Sequence, residues 1–220
     1  MKPPFVARNQ LVIALEGADR MGKTTQVRRL VSFLSNRARD GVRVATVKSP
    51  VKGFVFYDRI YDWLRDGRAR TRPDVFQFFQ IANRMEWMAS FERDLAVKEA
   101  MHLASPSEYY LVLDRWNAST YAYGQAAGLT RDDIDAWLEP LLEPDLTIVL
   151  DGKGHGDVMP VGDSYERDSQ FQRDVRRYYL EWAEQHPDVA RIVSADGTVD
   201  SVADQIAEAV MLVMVQKWQL

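Results

Sequence analysis

Cysteine is absent from the 220-residue sequence, and histidine occurs only three times. Without cysteine the chain can form no disulfide, no thiolate nucleophile and no cysteine-ligated zinc site. The histidines, His102, His155 and His186, lack the spacing of metal ligands. Long apolar runs are also missing, because the longest candidate, residues 209–215, is much shorter than a membrane span. With no apolar region of signal-peptide length at the N-terminus, we expect a cytoplasmic protein.

The balance of charge argues against a nucleic-acid-binding protein. Lysine and arginine number 28 against 32 aspartate and glutamate, which gives a formal net charge of -4. Proteins dedicated to nucleic acid usually carry a strongly basic surface, whereas a small anion needs only a local basic pocket. The hydrophobic fraction of 46% is ordinary for a globular chain, and the length suits one domain over residues 1–220.

The pattern of apolar residues predicts an α/β fold. Short runs rich in β-branched residues predict strands at 11–15, 42–47, 109–113, 146–150 and 191–193. Helices are predicted between them, at 23–37, 55–65, 74–103, 118–126, 131–142, 168–185 and 199–218. The strand runs are nearly continuous rather than alternating, as in a parallel sheet that is covered on both faces. This alternation of strands and helices is typical of a doubly wound fold.

Two loops have an unusual composition. Residues 65–72 contain four arginines around a glycine, and this favours a solvated turn, since clustered charges commonly lie on the surface. Residues 152–162 contain four glycines between the fourth strand and the next helix. That segment is either a mobile lid over a site or a flexible connector.

A phosphate-binding motif lies directly after the first predicted strand. Residues 17–24, Gly-Ala-Asp-Arg-Met-Gly-Lys-Thr, match the pattern G-x-x-x-x-G-K-[ST] and open the first predicted helix. In this context, backbone N–H groups and a helix N-terminus converge on phosphate oxygens. The sequence therefore predicts ATP binding by a loop whose residues are Gly17, Ala18, Asp19, Arg20, Met21, Gly22, Lys23, Thr24 and Thr25.

Arg20 is the unusual member of this loop. One interpretation is a surface arginine at the entrance of a helix. The other is a catalytic guanidinium that stabilises the charge which develops on phosphate during transfer, as an arginine finger does.

Four segments of the sequence resemble the thymidylate kinases. Residues 11–26 are similar to the family's first strand and phosphate loop, and residues 82–86, Ala-Asn-Arg-Met-Glu, resemble the stretch A-N-R-W-E of its thymine-contacting helix. Residues 114–123 resemble the family's D-R-[YH] motif with the S-T-x-A-Y segment after it, and residues 143–146 resemble its K-P-D-L sequence. The resemblance covers nearly the whole chain. It implies a P-loop NTPase fold with a five-stranded parallel sheet, helices on both faces and a lid at about residues 152–164.

The resemblance also implies an activity. The chain would transfer the γ-phosphoryl group of Mg-ATP to the 5′-phosphate of dTMP, giving dTDP for DNA precursor synthesis, and would act as a homodimer. Lys23, Arg20 and Arg115 would neutralise charge during transfer, and Thr24 and Asp114 would hold Mg²⁺.

Asp114 and Arg115 follow the third predicted strand, at the sheet edge where open α/β folds bind ligands. There the aspartate can hold the magnesium shell, and the arginine can bridge two phosphates through bidentate contacts. The alternative is a salt bridge that caps the strand.

The residues that the resemblance assigns to the acceptor nucleotide come from several segments. They are Asp19, Pro50, Lys52, Gln80, Asn83, Arg84, Arg115, Ser119, Thr120, Tyr123 and Tyr165. Asp19 would contact the 3′-hydroxyl of the sugar or the metal shell. Tyr165 would lie against the sugar, or it simply packs under the lid.

The chain departs from the family at the position four residues before Arg84. Gln80 stands there instead of an aromatic residue that stacks on the base, and Phe79 lies about 100° away around the helix. We therefore hypothesise that Gln80 hydrogen-bonds the base edge, which lowers affinity for dTMP or admits another pyrimidine. After the second strand, Lys52 stands in place of an arginine, so it can neutralise a phosphate but lacks the bidentate fork.

The sequence of the predicted lid indicates where the catalytic arginine lies. Asp19 and Arg20 resemble the group of the family that carries this arginine in the phosphate loop, and the lid agrees, since it holds Lys153 and His155 but no arginine before Arg167. Ser164 replaces a family arginine, so one phosphate or adenine contact is lost, or Arg167 supplies it.

Other functions stay open from the sequence. The chain could phosphorylate a different nucleoside monophosphate or a nucleoside, or it could be a nucleotide-binding switch with no second substrate. A polynucleotide kinase has only the arginine loop in its favour. On the long helix predicted at 74–103, four large apolar residues predict either core packing or a dimer contact: Met85, Trp87, Met88 and Phe91.

Overall fold

The computed structural model describes residues 10–38, 40–100, 108–153, 165 and 168–218. His102, His155, Ser164 and Arg167, and most of the predicted lid, lie outside the described residues.

A five-stranded, fully parallel sheet forms the centre of the fold. Its strands are β1 (Gln10–Glu16), β2 (Val42–Lys48), β3 (Glu108–Asp114), β4 (Leu146–Asp151) and β5 (Ala190–Ser194). They lie in the order β2-β3-β1-β4-β5, so β1 is central, and all seven of its residues are buried. Each predicted strand falls inside an observed one, and the predicted fold class is confirmed.

Eight helices connect the strands in the described chain. They are α1 (Lys23–Ser35), α2 (Tyr57–Asp66), α3 (Arg68–Thr71), α4 (Pro73–Ala100), α5 (Asn117–Ala126), α6 (Arg131–Leu138), α7 (Ser169–Gln185) and α8 (Val199–Trp218). α6 ends four residues before its predicted end at residue 142, because Pro140 has no N–H to donate within a helix and restricts the residue before it. None of the described helices is both long and apolar enough to cross a membrane.

Alternate residues of β1 pack against different layers. Leu11, Ile13 and Leu15 lie in one apolar cluster with residues of α1 and α8, and Val12 and Ala14 lie in another with residues of α4 and α6. Side chains alternate across a strand, so a strand that is apolar at every position from 11 to 15 requires cover on both faces. This explains why its sequence reads as a continuous apolar run.

The arginine loop was predicted as a solvated turn, and its arginines are indeed exposed, although four of its residues form α3. Arg65, Arg68 and Arg72 pair with aspartates close by in the sequence. Arg70 reaches further, since its Nη1 lies 2.7 Å from Oδ2 of Asp168, the residue that caps the N-terminus of α7. The loop is therefore attached to α7 through one of its four arginines.

Candidate active site

The phosphate loop joins the end of β1 to the start of α1 through residues 17–22. Gly17 has φ 134° and passes so close to β4 that a Cβ atom there would lie 2.5 Å from the carbonyl oxygen of Leu150. Gly22, with φ 74°, directly precedes α1. Arg20, at the turn between them, also has a positive φ, of 66°, which residues other than glycine seldom adopt. The loop thus curls around the N-terminus of α1, the geometry predicted for a phosphate site.

Lys23 is folded into this loop. Its Nζ donates to the carbonyl oxygens of Gly17, at 3.0 Å, and Ala18. Burial, with a contribution from Arg115, lowers the pKa of Lys23 to about 7, against the opposing effect of nearby carboxylates that include Asp114. A phosphate that enters the loop would bring negative charge close to Lys23, and this would favour the protonated form of the lysine.

Arg115 lies in the turn after β3 and connects that turn to the phosphate loop. Its Nη1 donates to the carbonyl oxygen of Gly17 at 3.1 Å and to the hydroxyl of Tyr179 at 3.0 Å, and its Nη2 forms a close ion pair with Asp19. Burial alone would raise the pKa of Asp19, but Arg115 and Lys23 hold it below its ordinary value. The partner of Arg115 is thus Asp19 of the phosphate loop, not its neighbour Asp114.

Glu16, which the sequence analysis did not single out, organises the same turn. It is fully buried, and its Oε1 accepts from the backbone N–H groups of Trp116 at 2.7 Å and Ser119 at 3.1 Å. Its Oε2 accepts from the hydroxyls of Ser119 at 2.6 Å and Tyr179 at 3.3 Å. The carboxylate therefore fixes the start of α5 and the turn that carries Arg115. A charged residue at the end of an apolar strand was the available signal.

Arg84 lies on α4, on the far side of the turn after β3. It is buried, and its Nε and Nη1 donate to the hydroxyls of Ser49 and Thr120, each at 2.8 Å. Burial lowers the pKa of Arg84 to about 10, while the charge of Glu16 acts in the opposite direction. These hydrogen bonds join α4 to the end of β2 and to α5.

A cavity of about 230 Å³ opens between α4, the loop after β2 and the turn after β3; we call it the α4 cavity. It is continuous with the phosphate loop through Asp19 and Arg115, which both line it. Nine of the eleven residues predicted to bind the acceptor line this cavity: Asp19, Pro50, Gln80, Arg84, Arg115, Ser119, Thr120, Tyr123 and Tyr165. The sequence analysis did not include Lys48 or Gln77, which also line it.

Asn83 and Lys52 do not line the α4 cavity. The buried amide of Asn83 bonds the backbone of the loop after β2, accepting from the N–H of Val51 at 2.6 Å and donating to the carbonyl oxygens of Val51 and Val55. Lys52 lines a separate groove beside α4, together with Trp87. The described geometry thus gives Asn83 a role in holding the loop, and it places Lys52 in a neighbouring groove that shares Lys48 with the cavity.

Aromatic side chains form one wall of the cavity. Tyr165 stacks on Phe171 with ring centroids 4.6 Å apart, meets Phe76 edge-on at 5.8 Å, and donates its hydroxyl to the carbonyl oxygen of Ala69 at 2.9 Å. It therefore both packs in the core and presents its ring at the cavity. Phe79 stacks instead on Phe56, at 4.9 Å, which agrees with the expectation that it cannot replace an aromatic at position 80.

A sequence model of the family described as thymidylate kinase matches residues 15–206. The chain belongs to the thymidylate kinase family. It is thus a nucleoside monophosphate kinase, a phosphotransferase, and a nucleotide-binding switch without a second substrate is not favoured.

Relatives within the family cover most of the chain. The thymidylate kinases of Chromobacterium violaceum and Methylococcus capsulatus are each 31% identical to it, over 87% and 90% of this chain and 90% and 93% of the relatives. Among solved structures, the thymidylate kinase of Candida albicans is 26% identical with a TM-score of 0.65, over 93% of this chain and 92% of that one. The thymidylate kinase of Ehrlichia chaffeensis, 21% identical with a TM-score of 0.68 over 91% and 98%, shares the fold.

Proposed function

We propose that the protein transfers the γ-phosphoryl group of ATP to the 5′-phosphate of dTMP, giving dTDP. The observation that carries this proposal is the continuity of two anion sites. Asp19 belongs to the phosphate loop and lines the α4 cavity, and Arg115 lines the cavity and is bonded to Gly17 and Asp19 of the loop. A triphosphate in the loop and a monophosphate in the cavity would therefore meet end to end, as an in-line transfer requires.

On the acceptor side, the polar groups of the cavity come from different elements. Gln80 and Arg84 belong to α4 and would face the base, whereas Asp19 belongs to the phosphate loop and Arg115 is bound to that loop. Lys48, at the end of β2 beside Asp114, lines the same cavity. We infer that the acceptor phosphate lies towards Arg115 and Lys48, so that its charge is compensated before the donor phosphate approaches.

The chemistry requires no covalent bond to the protein. A deprotonated, non-bridging oxygen of the acceptor's 5′-phosphate attacks the γ-phosphorus of ATP. The bond between that phosphorus and the oxygen that bridges it to the β-phosphate breaks, and ADP leaves with this oxygen. Lys23, Arg115 and Arg20 would stabilise the charge that spreads over the transferred group, because all three belong to the loop or to the turn bound to it.

The donor groups at this edge suit Mg²⁺ carried by the nucleotide. Asp114 supplies a buried carboxylate close enough to Lys23 to affect its pKa, and Thr24 supplies a hydroxyl at the start of α1. Among the described residues there is no cluster of three or more carboxylates or histidines that could hold a metal by themselves. Mg²⁺ normally takes one or two protein oxygens and completes its shell with phosphate and water, so Asp114 and Thr24 would hold it; it would supply charge neutralisation between the phosphates.

We further propose that the protein forms a homodimer through α4. Trp87 and Met88 are buried in the core, whereas Phe78 and Met85 are 47% and 44% exposed. These two lie seven residues apart, on one face, and Phe78 contacts the ring of Trp137 of α6 at 4.5 Å. A pair of large exposed apolar side chains on one helix face is a candidate surface for a second copy. A cytoplasmic location stays a prediction.

The decisive experiment is a coupled assay of ADP release with a panel of acceptors. We expect turnover with dTMP, with dUMP, dCMP and dGMP slower. ATP consumption that no monophosphate stimulates would overturn the proposal. The second candidate, a kinase with altered base preference, rests on the polar side chain of Gln80 in the cavity, and it would show as a higher kcat/KM for another acceptor.

A further inference from the structure

α4 presents a row of polar side chains to the α4 cavity. Gln77, Gln80 and Arg84 all line it, at spacings of three and four residues. At about 100° per residue, Gln77 and Arg84 lie only about 20° apart around the helix axis and two turns apart along it. A flat ligand lying along α4 would therefore meet all three side chains on one edge.

Gln77 differs from the other buried amide of the same helix. Asn83 satisfies its amide with three hydrogen bonds to the loop after β2. Gln77 is only 2% exposed, yet its side chain has no hydrogen-bond partner among the residues that the structure describes. The side chain is thus placed for a polar group that enters the cavity.

The chemistry of the row indicates what that group is. Arg84 can only donate, and with Nε and Nη1 bound to Ser49 and Thr120 its Nη2 is left for a ligand carbonyl. A glutamine amide offers both a donor and an acceptor, so it can pair with a neighbouring N–H and carbonyl in one plane. Phe76 and Leu64, which also line the cavity, provide apolar surface for ring faces. A heterocycle with a carbonyl next to an N–H, such as a 4-oxopyrimidine, fits this arrangement.

We propose that Gln77 hydrogen-bonds the edge of the acceptor's base and is a specificity-determining residue of the kinase. The inference rests on the proposed function, since it takes the α4 cavity as the acceptor site. It differs from the hypothesis about Gln80 because it concerns Gln77, which lies two turns from Arg84 and has no side-chain hydrogen bond to any described residue. Base selection then depends on two amides and a guanidinium in a row.

The test compares an acceptor that has a base with one that has none. Gln77→Met keeps the length of the side chain and removes its hydrogen bonds, and Gln77→Leu serves as a second variant. We expect about a tenfold rise in the KM for dTMP, with kcat and the KM for ATP unchanged within about twofold. The inhibition constant of 1,2-dideoxyribose 5-phosphate, which lacks a base, should stay unchanged in both variants. Gln205→Met, on the exposed side of α8, is the matched control.

Two results of this comparison would overturn the proposal. An unchanged KM for dTMP would mean that Gln77 makes no contact with the base. An equal rise in the KM for dTMP and in the inhibition constant of the base-free compound would mean a structural role. If the wild type phosphorylates another monophosphate instead of dTMP, the proposed function fails. The role of Gln77 is then tested by the same comparison with that acceptor, so a failure of the proposed function is distinguished from a failure of this inference.

Discussion

Arg115, in the turn after β3, forms an ion pair with Asp19 of the phosphate loop, and the two side chains are only 18% and 25% exposed. The pair joins two segments that lie 96 residues apart in the sequence. Tyr123 and Gln172 also donate to the carboxylate of Asp19, at 2.9 and 3.2 Å. The ion pair therefore holds together the parts of the site that would bind the donor and the acceptor.

The first prediction concerns the pH dependence of this ion pair. The pKa of Asp19 is lower in the folded chain than its ordinary value of 3.8, so the folded state favours the carboxylate. The resulting stability is fully present above about pH 4 and is lost as the pH falls through the lowered pKa. Asp19→Asn should lower the free energy of unfolding by about 1–3 kcal/mol at pH 6, and by less near pH 3. Urea denaturation at both pH values measures this, and a difference that does not change with pH would contradict it.

Glu16→Gln should impair the reaction without removing any group that contacts a nucleotide. The amide cannot accept hydrogen bonds through both of its terminal atoms, so the turn with Arg115 loses part of its support. We expect kcat to fall by about 10²-fold, with the KM for ATP changed less than threefold. Steady-state kinetics together with thermal melting test this, and a variant with full kcat would show that Glu16 does not position Arg115.

Arg20→Ala should lower kcat by about two to four orders of magnitude and change ATP affinity only modestly, because a guanidinium in the phosphate loop acts mainly on the charge that develops during transfer. Arg29→Ala is the matched control, since Arg29 lies in α1 and pairs with Asp200 at the surface. Single-turnover kinetics and ATP titrations separate the two quantities. Wild-type turnover of the Arg20 variant would remove the catalytic assignment.

Lys48 and Lys52 form a matched pair on either side of the loop after β2. Lys48 lines the α4 cavity as well as the outer groove, but Lys52 lines only the groove. Lys48→Ala should raise the KM for dTMP about fivefold or more through the loss of a charge near the acceptor phosphate, and Lys52→Ala less than twofold. A larger rise in the KM for dTMP with Lys52→Ala than with Lys48→Ala would instead support the sequence-based prediction that Lys52 neutralises the acceptor phosphate.

Met85→Glu should weaken the dimer, because it puts a charge into the exposed apolar face of α4. Met211→Glu is the control, since Met211 is exposed to a similar extent, 40%, but lies on α8. Light scattering after gel filtration should give a larger shift towards monomer for the first variant. Equal masses for both variants and the wild type would argue against the α4 contact.

The fold and the phosphate loop could be predicted from the sequence because their signals are local. The central strand β1 is a continuous apolar run over residues 11–15, and the loop follows it directly, so neither signal depends on distant residues. The α4 cavity is different. Lys48 reaches it from the end of β2, whereas Lys52, four residues later, lies outside, and only the path of the loop decides between them.

Glu16 and Gln77 were missed for a related reason. In the sequence, the signal at Glu16 is only a charge at the end of an apolar strand, because its four hydrogen bonds all go to residues at least 100 positions away. Gln77 sits beside apolar residues on a long helix whose buried face cannot be divided, from the sequence alone, into core and cavity. The arrangement of the surrounding elements makes that distinction.

The two carbonyl groups that hold the Lys23 side chain affect the free energy of binding a triphosphate. Immobilising a free lysine side chain costs up to about 2 kcal/mol in rotamer entropy, and here that loss has already occurred on folding. When the nucleotide binds, phosphate oxygens replace main-chain oxygens around an amine that is already held in position. The affinity of the loop therefore depends on the difference between two sets of acceptors rather than on the ordering of a mobile chain.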